Sequence, residues 1–152
     1  MTESAETRFT TEELLSSAQG NATAFVLATF AYLKEHGLAV DDYVRFFGSK
    51  FAPGWEELRD RPLEVARTVA RNAVSVGGTL RSLSGDEERA EVIIGGWPDE
   101  DLLGTLGLRG EEGEAMWDSF DPIMERIGIR YSWGHEEEED GAARLTFERE
   151  GD

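Results

Sequence analysis

Between Gly128 and Glu148 hydrophobic and polar residues alternate with a period of two on both sides of an Asp-Gly pair, and few arrangements satisfy that pattern. Ile129, Tyr131 and Trp133 share one side of a strand, with Arg130, Ser132 and Glu136 on the other. On the return strand Leu145 and Phe147 face inward while Arg144, Thr146 and Glu148 face outward. Asp140-Gly141 supplies a turn that tolerates positive φ, so the two runs read as an antiparallel hairpin. A slip of one residue would turn both first-strand aromatics to water, which fixes the register.

A helix leads into this hairpin. Met116, Phe120, Ile123 and Ile127 follow helical steps on one face, and Gly128 closes the segment. Pro122 interrupts the pattern, which predicts a kink or a restart capped by Ser119 or Asp121. Leu63 to Ile94 repeats the plan. Its helix starts near Pro62, with Asp60 as a candidate cap, and places Leu63, Ala66, Val69, Ala70 and Ala73 on one face. Gly77-Gly78 ends it, and a hairpin turns near Gly85-Asp86. Ala90, Val92 and Ile94 alternate cleanly, but Leu80 and Leu83 have opposite parity, which predicts a bulge or an early turn in the first strand. Two helix–hairpin units give an α+β fold: a small antiparallel sheet packed against a helical N-terminal half.

In that N-terminal half residues 1–8 read as a flexible tail, and 9–150 as one ligand-binding-like α+β domain. Thr10 or Thr11 caps a short helix, with Glu13 at the capping-box position relative to Thr10. Asn21 is expected to cap a second helix that stops at Gly37. Phe25, Val26, Phe30, Tyr32 and Leu33 spread around most of that helix, which predicts that it is largely buried. Asp41 or Asp42 opens a third helix carrying Tyr43, Phe46, Phe47 and Phe51, ended by Pro53-Gly54 before Trp55. A short helix follows Gly95-Gly96-Trp97-Pro98, from Asp99 to about Leu106.

Composition narrows the function. The chain has 152 residues, enough for a core without covalent staples, and no cysteine, which excludes disulfides, thiolate catalysis and cysteine-held zinc. A formal charge of -17 repels a nucleic-acid backbone and an anionic membrane, so neither is expected as a partner. The apolar run Ala24 to Leu33 is too short to span a bilayer, and the acidic N-terminus is unlike a signal peptide, so a cytoplasmic address is expected.

No catalytic signature accompanies the fold. The serines lack a nucleophile-elbow context, and Gly48-Ser49-Lys50 reads as a surface turn because a phosphate loop needs an upstream glycine that is missing. His36 falls at a helix C-terminus, where its charge would complement the dipole. His135 stands beside Glu136 to Glu139, a run without the turn glycine and alternating ligands of a calcium loop. No metal and no cofactor are implied.

From Tyr43 to Glu150 the order of elements is similar to that of the vinyl-reductase-type (hydrocarbon-binding) domain, a small-molecule-binding fold in sensory parts of regulators. The segments that carry the likeness are YVRFFGSKFAPGW, SLSGDEERAEVIIGGWP, MWDSFDPIMERIGIRYSW and EDGAARLTFERE. Where members of that family often carry cysteines near the final hairpin, this chain has Ala142 and Ala143. The resemblance implies a ligand pocket between the final helix, its hairpin and the upstream helices. It also implies dimerisation through helices, with Trp55 and the Ala24–Leu33 segment as interface candidates. Together with the density of aromatics, it points to Tyr43, Phe47, Trp117, Phe120, Tyr131 and Trp133 as lining residues for a small, largely apolar or aromatic ligand. Two other functions stay open: an acidic protein–protein interaction module or nucleic-acid mimic, resting on the charge and the EEEED tip, and an enzyme using pocket carboxylates such as Asp118 and Asp121.

Overall fold

A computed structural model describes residues 8–151. The tail expected over residues 1–8 therefore lies outside the described residues, apart from Arg8. The elements, in order, are α1 (Thr11–Glu35), α2 (Val40–Phe51), a first 3-10 segment (Ala52–Leu58), α3 (Pro62–Ser75), β1 (Thr79–Gly85), β2 (Arg89–Gly95), α4 (Glu100–Leu106), α5 (Gly110–Glu114), a second 3-10 segment (Ala115–Phe120), α6 (Asp121–Arg126), β3 (Ile129–His135) and β4 (Ala143–Arg149).

The two hairpins join through their second strands. Strand order is β1-β2-β4-β3, every pair antiparallel, so β2 and β4 are central and the first strand of each hairpin forms an edge. The α+β architecture expected from the two helix–hairpin units is present. Of the bulge or early turn expected from the parity of Leu80 and Leu83, the structure has the bulge, at Arg81, where the β1–β2 register shifts between Leu80 and Ser82. Ala90, Val92 and Ile94 of β2 and Ala143, Leu145 and Phe147 of β4 are buried. Helix α3 covers that face across β1, β2 and β4 with Val65, Ala66, Val69, Ala70 and Ala73, and α6 covers β3. The opposite face is a lattice of ion pairs, in which Arg89 and Arg130 both reach Glu148, and Arg144 reaches Glu91 and Glu136. An apolar stripe on one side and charge on the other follow directly from the period-two pattern.

The helical half departs from expectation in several places. Residues 11–35 form one helix, with Gly20 and Asn21 inside it, so Asn21 caps nothing. The interior glycine costs about 1 kcal/mol in an exposed turn, an amount that burial of Leu27 and Phe30 downstream offsets. The Thr10–Glu13 capping box is present in full, and the helix stops at His36. The expectation of a largely buried helix is also corrected: Thr23, Leu27, Phe30 and Ala31 form one buried stripe, while Phe25 and Tyr32 are exposed.

Ala39, not an aspartate, precedes α2, and Asp41 and Asp42 act only as first-turn acids favourable to the helix dipole. The α-helix ends at Phe51, ahead of Pro53-Gly54 as expected, and the chain continues in 3-10 geometry over Ala52–Leu58. Gly48-Ser49-Lys50 is helical, and Gly48 is buried, so the surface-turn reading fails. Asp60 does not cap α3. It adopts φ 59°, and its N–H donates to the Ile127 carbonyl at 3.0 Å, tying the start of α3 to the end of α6. The chain does restart at Pro122, but neither Ser119 nor Asp121 caps α6: the Ser119 hydroxyl donates to the Met116 carbonyl at 2.6 Å.

Candidate functional site

The candidate site is an apolar cavity of about 380 Å³ between helices, lined by no strand residue and open to solvent beside Phe47 and Phe51. Three positions on α1 face it: Val26, Thr29 and Phe30. On α2 the i, i+4, i+8 spacing of Tyr43, Phe47 and Phe51 places three rings in one stripe, joined by Val44. Neighbouring ring centroids in that stripe are 6.4 and 4.8 Å apart. Trp55 enters from the first 3-10 segment and meets Phe120 edge-on at 6.2 Å, while Phe30 meets Tyr43 edge-on at 6.3 Å. Met116 and Ser119 from the second 3-10 segment and Ile123 from α6 complete one wall. The end of α3 supplies Asn72, Ala73, Ser75 and, just past it, Val76.

Gly48 fixes the distance between two of these walls. A Cβ built on it would lie 1.9 Å from the Ser119 carbonyl oxygen, so α2 packs against the second 3-10 segment only because this residue has no side chain. Two helical turns of aromatics are thereby held against Phe120 and Ile123.

The polar atoms of the lining are few and mostly engaged. Thr29, Ser75 and Ser119 donate their hydroxyl protons to the carbonyls of Phe25, Asn72 and Met116 at 2.7, 2.7 and 2.6 Å. Among the described residues the Tyr43 hydroxyl, the Trp55 indole N–H and the Asn72 carboxamide are the lining polar groups without a protein hydrogen bond. No lining side chain carries a charge. Such a cavity sequesters apolar surface and offers a guest a hydroxyl, an indole N–H and an amide.

Of the six lining residues expected from the sequence, Tyr43, Phe47 and Phe120 are in the wall and Trp117, Tyr131 and Trp133 are not. The latter three form the seam between β3 and the second 3-10 segment. Trp117 is fully buried, the Tyr131 hydroxyl donates to its carbonyl at 2.8 Å, and the Tyr131 ring stacks on Phe147 at 5.2 Å. The Trp133 indole N–H donates to Asp118 Oδ1 at 2.8 Å. Alternation along β3 could not separate these core contacts from a pocket lining. The expected set also lacks Val26, Val44, Met116, Ile123 and the Asn72–Val76 wall, whose apolar spacing is that of any core-facing helix.

The carboxylates near the seam serve it too. Asp118 is the acceptor for Trp133, and Asp121 stands 3.8 Å from Arg45; neither lines the cavity. Burial pushes the Asp121 carboxyl above its ordinary value, Asp118 and Glu125 push the same way, and Arg45 opposes them. Burial likewise holds the Tyr131 phenol well above the usual range, with Asp121 and Asp118 adding to it.

His36 ends α1 as expected, its Nδ1 2.8 Å from the Tyr32 carbonyl and its ring stacked on Tyr32 at 4.0 Å. His135 pairs with Glu114. In the acidic tip Glu136 pairs with Arg144 at 2.7 Å and Glu139 with Arg81 at 2.8 Å, leaving Glu137, Glu138 and Asp140 exposed and without a basic partner among the described residues. Among the described residues no three histidine, aspartate or glutamate side chains converge as a metal-binding group. No described helix is long and apolar enough to cross a membrane. The chain matches no known protein-family model and no curated protein.

Proposed function

We propose that this chain binds a small, uncharged, largely apolar molecule in the helical cavity, as a sensor or carrier and without turning it over. The observation that carries the reading is the cavity itself, about 380 Å³ with aromatic and aliphatic walls. Ligand pockets commonly occupy roughly 300–1,000 Å³ with mostly apolar linings and a few polar groups. A bicyclic or tricyclic aromatic, or an elongated hydrocarbon with one polar end, fits that volume. A carboxylate or phosphate would enter without a lining cation to pair with, against the field of a chain carrying -17. The general function implied by the likeness to vinyl-reductase-type domains, with a homodimer among its expectations, belongs to this same proposal. The location is new: the guest sits among α1, α2, α3 and the second 3-10 segment, not under the final hairpin.

Titration with Nile red, a neutral apolar fluorophore, tests the proposal. Wild-type protein is expected to give saturable enhancement at one dye per chain, and Val26→Trp, which fills the cavity from α1, to lose at least ten-fold in affinity. Equal binding by the folded Val26→Trp variant, or no saturable binding by the wild type, contradicts the proposal.

A further inference from the structure

The four tryptophans of the chain differ in what their indole N–H groups meet. Trp97 donates to the Gly113 carbonyl at 3.1 Å, and Trp133 to Asp118 Oδ1 at 2.8 Å. Trp117 is fully buried outside the cavity lining, with its N–H unpartnered in the core. Trp55 belongs to the lining, is half-buried, and has no protein acceptor for its N–H among the described residues. An indole N–H donates and never accepts, so its partner must be an acceptor brought from outside the protein. Water supplies one while the cavity is empty of a guest. A guest that displaces this water either replaces the acceptor or strands the donor, and a stranded donor costs affinity.

The position of Trp55 says where on the guest that acceptor belongs. Trp55 follows Phe51 by four residues, at the end of the stripe of Tyr43, Phe47 and Phe51, and stands edge-on to Phe120 at 6.2 Å. A planar guest laid against the stripe therefore brings one edge to the indole. The hydroxyls of Thr29, Ser75 and Ser119 have already made their bonds, and Asn72 is exposed enough to stay hydrated. A plain hydrocarbon or an amine hydrogen leaves the Trp55 N–H stranded. A carboxylate accepts, but it meets no lining cation. A hydroxyl oxygen accepts too, yet brings a proton of its own that needs a lone pair in the same place. A carbonyl oxygen in the plane of an aromatic ring has neither defect. We infer, on the reading of the cavity as a ligand site, that its guest is a neutral aromatic carbonyl compound (an aryl ketone, quinone or aromatic ester) whose oxygen accepts from the Trp55 indole N–H. Trp55 then selects among apolar molecules that the rest of the wall holds alike.

Equilibrium dialysis of the full chain against 2-acetylnaphthalene and 2-isopropenylnaphthalene compares a carbonyl with an olefin of nearly the same shape. The olefin is the more hydrophobic, so a wall that reads apolar area alone holds it at least as tightly. The wild type is expected to hold the ketone about ten-fold more tightly, and Trp55→Phe to lose that preference by weakening the ketone alone. In the wild type, the Trp55 Nε1 proton resonance is expected further downfield in the ketone complex than in the olefin complex. The Trp97 resonance, its N–H already bonded, is expected at the same place in both. This second measurement serves even where Trp55→Phe fails to fold. Olefin binding as tight as ketone binding, an unchanged preference in folded Trp55→Phe, or a Trp55 resonance alike in the two complexes overturns the carbonyl assignment and leaves the cavity an apolar site. Saturation by neither probe overturns the carbonyl assignment and the cavity reading together.

Discussion

Gly48 lies so close to Ser119 that a methyl group on its Cα would sit 1.9 Å from the Ser119 carbonyl oxygen. This contact joins two walls of the cavity, and the obstructing atom is backbone, which cannot rotate away. Gly48→Ala is expected to destabilise the fold by about 1–3 kcal/mol through overpacking, despite alanine's better helix propensity. Urea unfolding measures it. Gly54→Ala, where nothing lies within 4 Å of the added carbon, should stay within about 1 kcal/mol of wild type.

Trp133 and Asp118 make a second prediction. The indole N–H reaches a carboxylate oxygen at 2.8 Å in a half-buried setting. Asp118→Ala is expected to cost about 1–2 kcal/mol, since a donor loses its charged acceptor, whereas Asp118→Asn keeps an oxygen there and should cost less. Thermal unfolding of the two variants checks the order. Both are expected to bind Nile red like wild type, because Asp118 lies outside the cavity wall.

Two carboxylates should give stability–pH profiles of opposite sign. Burial holds Asp121 above its ordinary 3.8, so the folded state retains its proton more tightly than the unfolded chain. Its contribution is complete below 3.8 and is lost as pH rises through the folded value. Asp121→Asn should therefore gain on wild type across that window and keep the advantage above it. Glu56 is held below 4.5 by hydrogen bonds from Arg126 and Arg59. Its contribution is present above 4.5 and disappears as pH falls through the folded value, so Glu56→Gln should lose to wild type only at the higher pH. Chemical denaturation at several pH values separates the two.

Arg144 spans β4 to Glu91 on one side and Glu136 on the other, at 2.5 and 2.7 Å. The Glu136 side chain is only 7% exposed, so removing its partner leaves a desolvated carboxylate. Arg144→Ala is expected to destabilise by about 1–3 kcal/mol, and adding Glu136→Gln to recover part of that loss. A double-mutant cycle by urea unfolding measures the coupling. Additive losses would show that the pair does not interact.

The sequence is most readable where one rule governs a segment. That Tyr131 and Phe147 share the dry face, and that β1 is irregular between Leu80 and Leu83, follow from side-chain parity, because each strand has one wet face and one dry face; the pairing of Tyr131 with Phe147 and the bulge at Arg81 are read from the structure. Helix ends were less readable. Gly20-Asn21 has the chemistry of a boundary, yet packing of Leu27 and Phe30 carries α1 straight through it. The cavity was half legible: Tyr43, Phe47 and Phe120 line it, while Trp117, Tyr131 and Trp133 fill the seam beside it. Nothing in spacing tells an aromatic that packs against backbone from one that faces a void. The Gly48–Ser119 approach, which sets the void's width, joins residues 71 positions apart.

Methyl NMR with a neutral naphthalene-sized probe tests most directly whether the helical cavity is the binding site. Saturable shifts are expected for the methyl groups of Val26, Val44, Val76, Met116 and Ile123, which line the cavity, with little change at Val92 and Leu145 under the sheet. Shifts spread equally over both sets, or no saturable shift at the lining methyls, would contradict the account.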